Sequence, residues 1–140
     1  MHNQLLDPDH VNNYFGRSFA VGVASIDAMH VEFEQRVQAL QDAGDNAGLE
    51  LDAFEEHLRR HFEHEQALMA ACGFPMEACH VREHATVLEV VAEVKRLSSA
   101  GEFEPLRRLA PAMLEWFAIH AGSMDAALAE HLNGNTPTAA

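Results

Sequence analysis

The stretch HFEHE (61–65) sets His61 and Glu65 four residues apart, and HVREH (80–84) does the same with His80 and His84. On a helix, residues at i and i+4 share a face, so each pair can present its two donors to one point. IDAMH (26–30) supplies His30, and WFAIHAGSMD (116–125) supplies His120 and, five residues on, Asp125. Imidazole and carboxylate are natural donors to first-row transition metals. Five imidazoles and two carboxylates suffice for a dinuclear centre in which the carboxylates bridge. The donor types alone would also accept zinc, cobalt or manganese.

These residues occupy positions that belong to a core. The stripe Ile26, His30, Phe33, Val37, Leu40 steps 4, 3, 4, 3, and Phe54, Leu58, His61, Glu65, Leu68, Cys72 steps 4, 3, 4, 3, 4. His80, His84, Val87, Val91, Val94 continue the pattern in a third segment. Such spacing marks one buried helix face. Burying ionised carboxylates without partners costs several kcal/mol each, and cationic metals would remove that cost. Asp125 needs a distortion, because five residues turn a regular helix by about 500° and leave it about 140° from His120. The stripe slips by one residue here: Met113, Trp116, His120 step 3, 4, and Asp125, Leu128, Leu132 step 3, 4 again. The spacing therefore predicts a π-type turn near Gly122.

The elements follow from these stripes. Residues 1–24 read as an N-terminal arm, 25–132 as the bundle and 133–140 as a frayed tail, all in one domain spanning 1–140. Ser25 is a candidate N-cap for a first helix to about Ala43. A second helix spans about 49–72, stopped by Gly73-Phe74-Pro75, and a third about 76–99, closed by Gly101. A short helical turn over 103–110 precedes a fourth helix that begins near Pro111, the only long connection lying between the third and fourth. The expected fold is all-α, an antiparallel up-down-up-down four-helix bundle.

The chain carries 9 Lys+Arg against 22 Asp+Glu, a net charge of −13. That surface repels nucleic acid and anionic membranes. The expected location is cytoplasmic, since no stretch approaches the about 20 apolar residues of a membrane span and the N-terminus lacks a secretion-signal pattern. Cys72 and Cys79 read as reduced thiols. A lone core histidine such as His30 can simply be hydrogen-bonded, and an HxxxH pair is often solvated. His57, one turn before His61, reads as a bystander, and His2, His10, His64 and His131 as solvent-facing.

With IDAMH, HFEHE, HVREH and WFAIHAGSMD in this order, residues 19–132 resemble the bacteriohemerythrins, the single-domain prokaryotic type of the hemerythrin family. The resemblance implies two iron ions, one held by His80, His84 and His120 and the other by His30 and His61. Glu65 and Asp125 would bridge them together with an oxo or hydroxo group, and the two-histidine iron would keep a position open for reversible dioxygen binding. Phe33, Phe62, Trp116, Phe117 and Ala121 are candidates for the dioxygen pocket. Three positions depart from the pattern. Met29 precedes the first ligand, Gln66 follows Glu65, and Ala121, beside Gly122, stands where a larger aliphatic residue is frequent, which implies a roomier pocket.

The resulting expectation is an oxygen-binding protein for storage, delivery or sensing rather than an enzyme. A site with only two carboxylates, both bridging, gives little support to high-valent iron. The alternatives are a di-iron enzyme acting on peroxide or nitric oxide, an iron reservoir, and a sensor that signals through a separate protein partner.

Overall fold

The computed structural model describes residues 19–134, and these are helical with no strand. Helix α1 spans Ala24–Gln41, α2 Ala47–Cys72, α3 Glu77–Ser99 and α4 Glu104–His120. A π-helical turn, Ala121–Asp125, carries α4 into a short α5, Ala126–Leu132. Helix α1 packs on α2 and α4, and α3 packs on the same two, so the four long helices close a ring around a common interior. No described helix is long and apolar enough to cross a membrane.

The buried residues of α1 are Ile26, His30, Phe33, Val37 and Leu40, and those of α3 are His80, His84, Val87, Val91 and Val94. Both sets coincide with the stripes read from the spacing. On α2 the buried face runs through Phe54, Leu58, His61 and Glu65 but then turns to Met69, leaving Leu68 and Cys72 half-buried. The helix is ended by Gly73, whose φ of 65° is left-handed and cheap only without a Cβ. There the amide of Phe74 donates to the Met69 carbonyl at 3.1 Å.

Several local expectations are corrected. Ser25 lies inside α1 rather than capping it; the capping position is Val23, which makes no side-chain cap. The Ser25 hydroxyl instead sits 2.9 Å from His64 Nε2, and His64 and His131 are half-buried, not freely solvated. Residues 104–120 form one helix, with no separate turn before Pro111. Pro105 takes the first turn, where a missing N–H costs nothing, while Pro111 sits buried in the interior. The connection from α3 to α4 is consequently short, residues 100–103. Of the arm only residues 19–23 are described, and His2 and His10 fall outside the described residues.

The core has two parts. A larger apolar cluster includes Phe33, Val37, Phe54, Leu58, Val91, Leu114 and Phe117. A smaller one gathers Ile26, Met69, Phe74 and Leu128. Along every long helix the histidines and carboxylates fall beside or between these clusters. Apolar burial, worth about 25 cal/mol per Å², thus drives the collapse that brings a polar layer out of water.

Candidate metal centre

The polar layer consists of His30, His57, His61, Glu65, His80, His84, His120 and Asp125, each 2% exposed or less. Apart from His57, these residues fall into two overlapping groups whose donor atoms lie within 4.8 Å of one another. One group is Glu65, His80, His84, His120 and Asp125; the other is His30, His61, Glu65 and Asp125. All seven residues singled out by spacing are therefore brought together. The π turn expected near Gly122 is present over Ala121–Asp125, and it rotates Asp125 back onto the buried face below His120. Without that extra residue per turn the carboxylate would point away from the interior.

The two carboxylates divide their oxygens between the groups. Glu65 Oε1 lies 3.2 Å from Nε2 of both His80 and His84, while Glu65 Oε2 lies 2.8 Å from His61 Nε2. Asp125 Oδ1 lies 3.0 Å from His80 Nε2 and 3.1 Å from His120 Nε2, while Oδ2 is 2.9 Å from His30 Nε2. Every imidazole thus turns Nε2 inward.

These short approaches are not all hydrogen bonds. His84 Nε2, His120 Nε2 and Asp125 Oδ1 are buried and have no hydrogen-bond partner, although each has an opposing atom close by. The atoms converge on shared points rather than on one another. Around a six-coordinate ion with bonds of 2.0–2.1 Å, adjacent donors stand about 3 Å apart. The spacing and the orphaned atoms both fit metal coordination.

Without a metal, the cluster balances its own charge. Burial penalises charged imidazoles, yet the Asp125 and Glu65 carboxylates outweigh it and hold His30 up at about 10 and His80 at about 9. The same histidines offset the burial of Asp125 and Glu65, which stay well below the usual carboxylate range. Burial dominates at His84 and pushes it down. A divalent ion would replace the imidazolium protons, so metal uptake releases protons.

Four of the five outward nitrogens have a partner, while His80 Nδ1 is buried without one. His30 Nδ1–H donates to the Phe19 carbonyl at 2.8 Å, and His120 Nδ1–H to Glu83 Oε1 at 2.8 Å. Trp116 Nε1–H donates to the same Glu83 oxygen at 3.0 Å. The Gln66 amide stands 3.5 Å from His84 Nδ1. His57, read from the sequence as a bystander, is fully buried, with Nε2 3.2 Å from His61 Nδ1. Glu83 and Phe19 were missed as participants because they lie off the stripes; His57 lies on the buried face of α2, and its spacing to His61 was read as that of a bystander.

The aromatic pocket candidates divide between the groups. Phe117 meets His30 edge-on at 4.8 Å and stacks on Phe33 at 4.0 Å. Phe62 instead stacks on His84 at 3.9 Å, and Trp116 on His120 at 4.5 Å. Ala121 is buried against the large cluster. Gly122 is exposed, and a Cβ added there would meet nothing within 4 Å, so it does not enlarge the interior.

Residues 21–132 match the family model of the hemerythrin HHE cation binding domain. The chain belongs to the hemerythrin family. It is 38% identical over 120 residues to the bacteriohemerythrin of Ralstonia nicotianae, an alignment covering 85% of this chain and 88% of the relative. The bacteriohemerythrin of Methylococcus capsulatus is 26% identical over 112 residues, covering 76% of this chain and 86% of that one. No solved structure gave a match. For a hemerythrin-family chain, the buried histidine and carboxylate group fits a di-iron site.

Proposed function

We propose that the chain is a di-iron protein that binds dioxygen reversibly, with one iron held by His80, His84 and His120 and the other by His30 and His61. Glu65 and Asp125 would serve both ions, together with an oxo or hydroxo group from solvent. The observation that carries this reading is the division of each carboxylate, one oxygen toward each histidine group. Bound iron would supply the redox chemistry of reversible dioxygen binding.

The protein's own contribution is positional. Three imidazoles fill one half of the site, and two leave the other half a donor short. Phe33 and Phe117 line that second half with apolar edges, which admit a neutral diatomic molecule and disfavour water and ions. The Phe19 carbonyl holds the His30 ring with Nε2 inward. The seven donors are buried rather than displayed on a surface, which favours a fixed resident site over an iron store.

The same proposal includes an up-down-up-down arrangement of the helices in one domain, supported by the short links at 42–46, 73–76 and 100–103. It also places the protein in the cytoplasm.

The test is an optical titration of anaerobically reduced, iron-loaded protein with dioxygen, followed by sparging with inert gas. A visible band that grows with dioxygen and fades on sparging is the expected result. One-way conversion to a ferric spectrum would refute reversible binding and favour peroxide or nitric oxide chemistry or iron storage.

A further inference from the structure

Among the described residues, His57 is the one fully buried histidine outside the two donor groups. It sits one turn before His61 on α2, packed edge-on against Phe33 at 6.0 Å. A buried polar ring at a core position needs a reason, because an apolar side chain there would cost nothing. Its two nitrogens face opposite ways. Nε2 lies 3.2 Å from His61 Nδ1, and Nδ1 lies 3.0 Å from Glu32 Oε2 on α1. Glu32 is in turn gripped by both terminal nitrogens of Arg60, one turn along α2 from His57. The outer end of this chain forms part of the wall of a surface cavity of about 480 Å³ between α1 and α2, lined by Glu32, Arg36, Glu56 and Arg60 among others.

Directions in the chain are set by chemistry. His61 turns Nε2 toward Glu65 Oε2, so a ligating lone pair on Nε2 leaves the proton on Nδ1. That N–H donates to His57 Nε2, which puts the His57 proton on Nδ1, 3.0 Å from Glu32 Oε2 but off hydrogen-bonding geometry. Ligand imidazoles elsewhere in proteins are oriented by a carboxylate, carbonyl or water on the outer nitrogen. Here His30 uses a backbone carbonyl and His120 a carboxylate, while His61 reaches its carboxylate through a second imidazole.

We propose that His57, anchored by Glu32 and Arg60, is a positioning residue for His61, locking its Nδ1–H tautomer and ring angle so that Nε2 serves the two-histidine half of the site. The proposal rests on the di-iron reading of the cluster. Its effect falls on one of the two metal positions, since the donor residue His57 contacts is His61, which belongs to the two-histidine group.

The test uses the metal-free full-length chain titrated with cobalt(II) against a competing chelator, with circular dichroism to check folding. The parent chain should take up two ions. His57→Phe keeps the packing and removes the hydrogen bond; it should weaken one ion by about 10- to 100-fold and leave the other unchanged. His57→Gln can still accept from His61 and donate to Glu32, and it should restore most of the loss. Glu32→Ala should weaken the same ion by a smaller factor. In the proton spectrum of the cobalt-loaded protein, the shifted His61 Nδ1–H signal should exchange with solvent faster in His57→Phe.

Equal affinity of both ions in folded His57→Phe, equal weakening of both, or no difference between the Phe and Gln variants would overturn the proposal. If His57→Phe does not fold, Glu32→Ala decides, and unchanged binding of both ions overturns it. Uptake of fewer than two ions by the parent chain would instead refute the di-iron reading itself.

Discussion

The two halves of the buried cluster share both carboxylates but differ in what stands behind and beside their imidazoles. On the three-histidine side, Glu83 sits directly on His120, and Trp116 and Phe62 stack on His120 and His84. On the two-histidine side, His30 is backed by a neutral carbonyl and His61 by a neutral imidazole, and the neighbouring rings Phe33 and Phe117 stand edge-on. A carboxylate on the outer nitrogen makes an imidazole a stronger donor than a carbonyl does. On the proposed reading, one half would hold an ion tightly and the other would hold one with a position to spare.

The most severe way to break this contrast is to remove what the halves share. Glu65→Gln takes away an anionic oxygen from each, and the variant should retain less than one iron per chain by metal analysis. The metal-free protein should also lose about 3–5 kcal/mol in denaturant unfolding, because the buried histidines lose their counter-charge. Retention of two irons would show that Glu65 is not common to both positions.

Phe117→Ala acts on the two-histidine side. Truncating a fully buried phenylalanine should cost about 3–5 kcal/mol. The opened wall should admit water and speed oxidation of the reduced, dioxygen-exposed protein, while two irons per chain remain. An unchanged oxidation rate would mean that Phe117 is packing alone.

Glu83→Leu acts on the other side. It should weaken one ion by about 10- to 100-fold, and that ion should be the one His57→Phe leaves untouched. If both variants weakened the same ion, the halves would not be independent.

The metal-free chain sharpens the contrast through pH. His30 at about 10 and His80 at about 9 lie above the free imidazole value of 6.5. Their contribution to stability is fully present below pH 6.5 and lost as pH rises through 9 to 10. His57, pushed down to about 4 chiefly by burial, and His84, also lowered, are neutral in both states above pH 6.5 and add nothing to the change there. The midpoint of thermal unfolding should therefore fall between pH 6.5 and 10 without metal and change less with metal bound. A flat profile in the metal-free chain would contradict the charge balance assigned to the cluster.

The smallest effect is expected at Gly122. It is helical and open to solvent, so Gly122→Ala should stabilise by about 0.4–1 kcal/mol and leave dioxygen affinity unchanged. A change in affinity would return this residue to the pocket.

The seven converging residues were legible because the helical period is a strong signal wherever one face is buried. The stripes on α1 and α3 match the buried sets residue for residue. The extra residue between His120 and Asp125 was legible for the same reason, as a slip in an otherwise regular row. What surrounds the cluster was not legible. Glu83 reaches His120, Glu32 reaches His57, and the Phe19 carbonyl reaches His30 across sequence separations that carry no period. The division of Phe33 and Phe117 from Phe62 and Trp116 depends on helix rotation, which spacing alone leaves open. Pro111 misled because proline is costly inside a helix, and here tertiary burial outweighed that local preference.

The central claim is that one chain holds two irons in unlike halves, only one of them open. Mössbauer spectroscopy of the ⁵⁷Fe-loaded, reduced chain after exposure to dioxygen tests it most directly, since it counts iron environments by area. The account predicts two quadrupole doublets of equal area, which merge back toward the reduced spectrum on removal of dioxygen. A single doublet in the dioxygen-exposed sample, or areas far from equal, would contradict it.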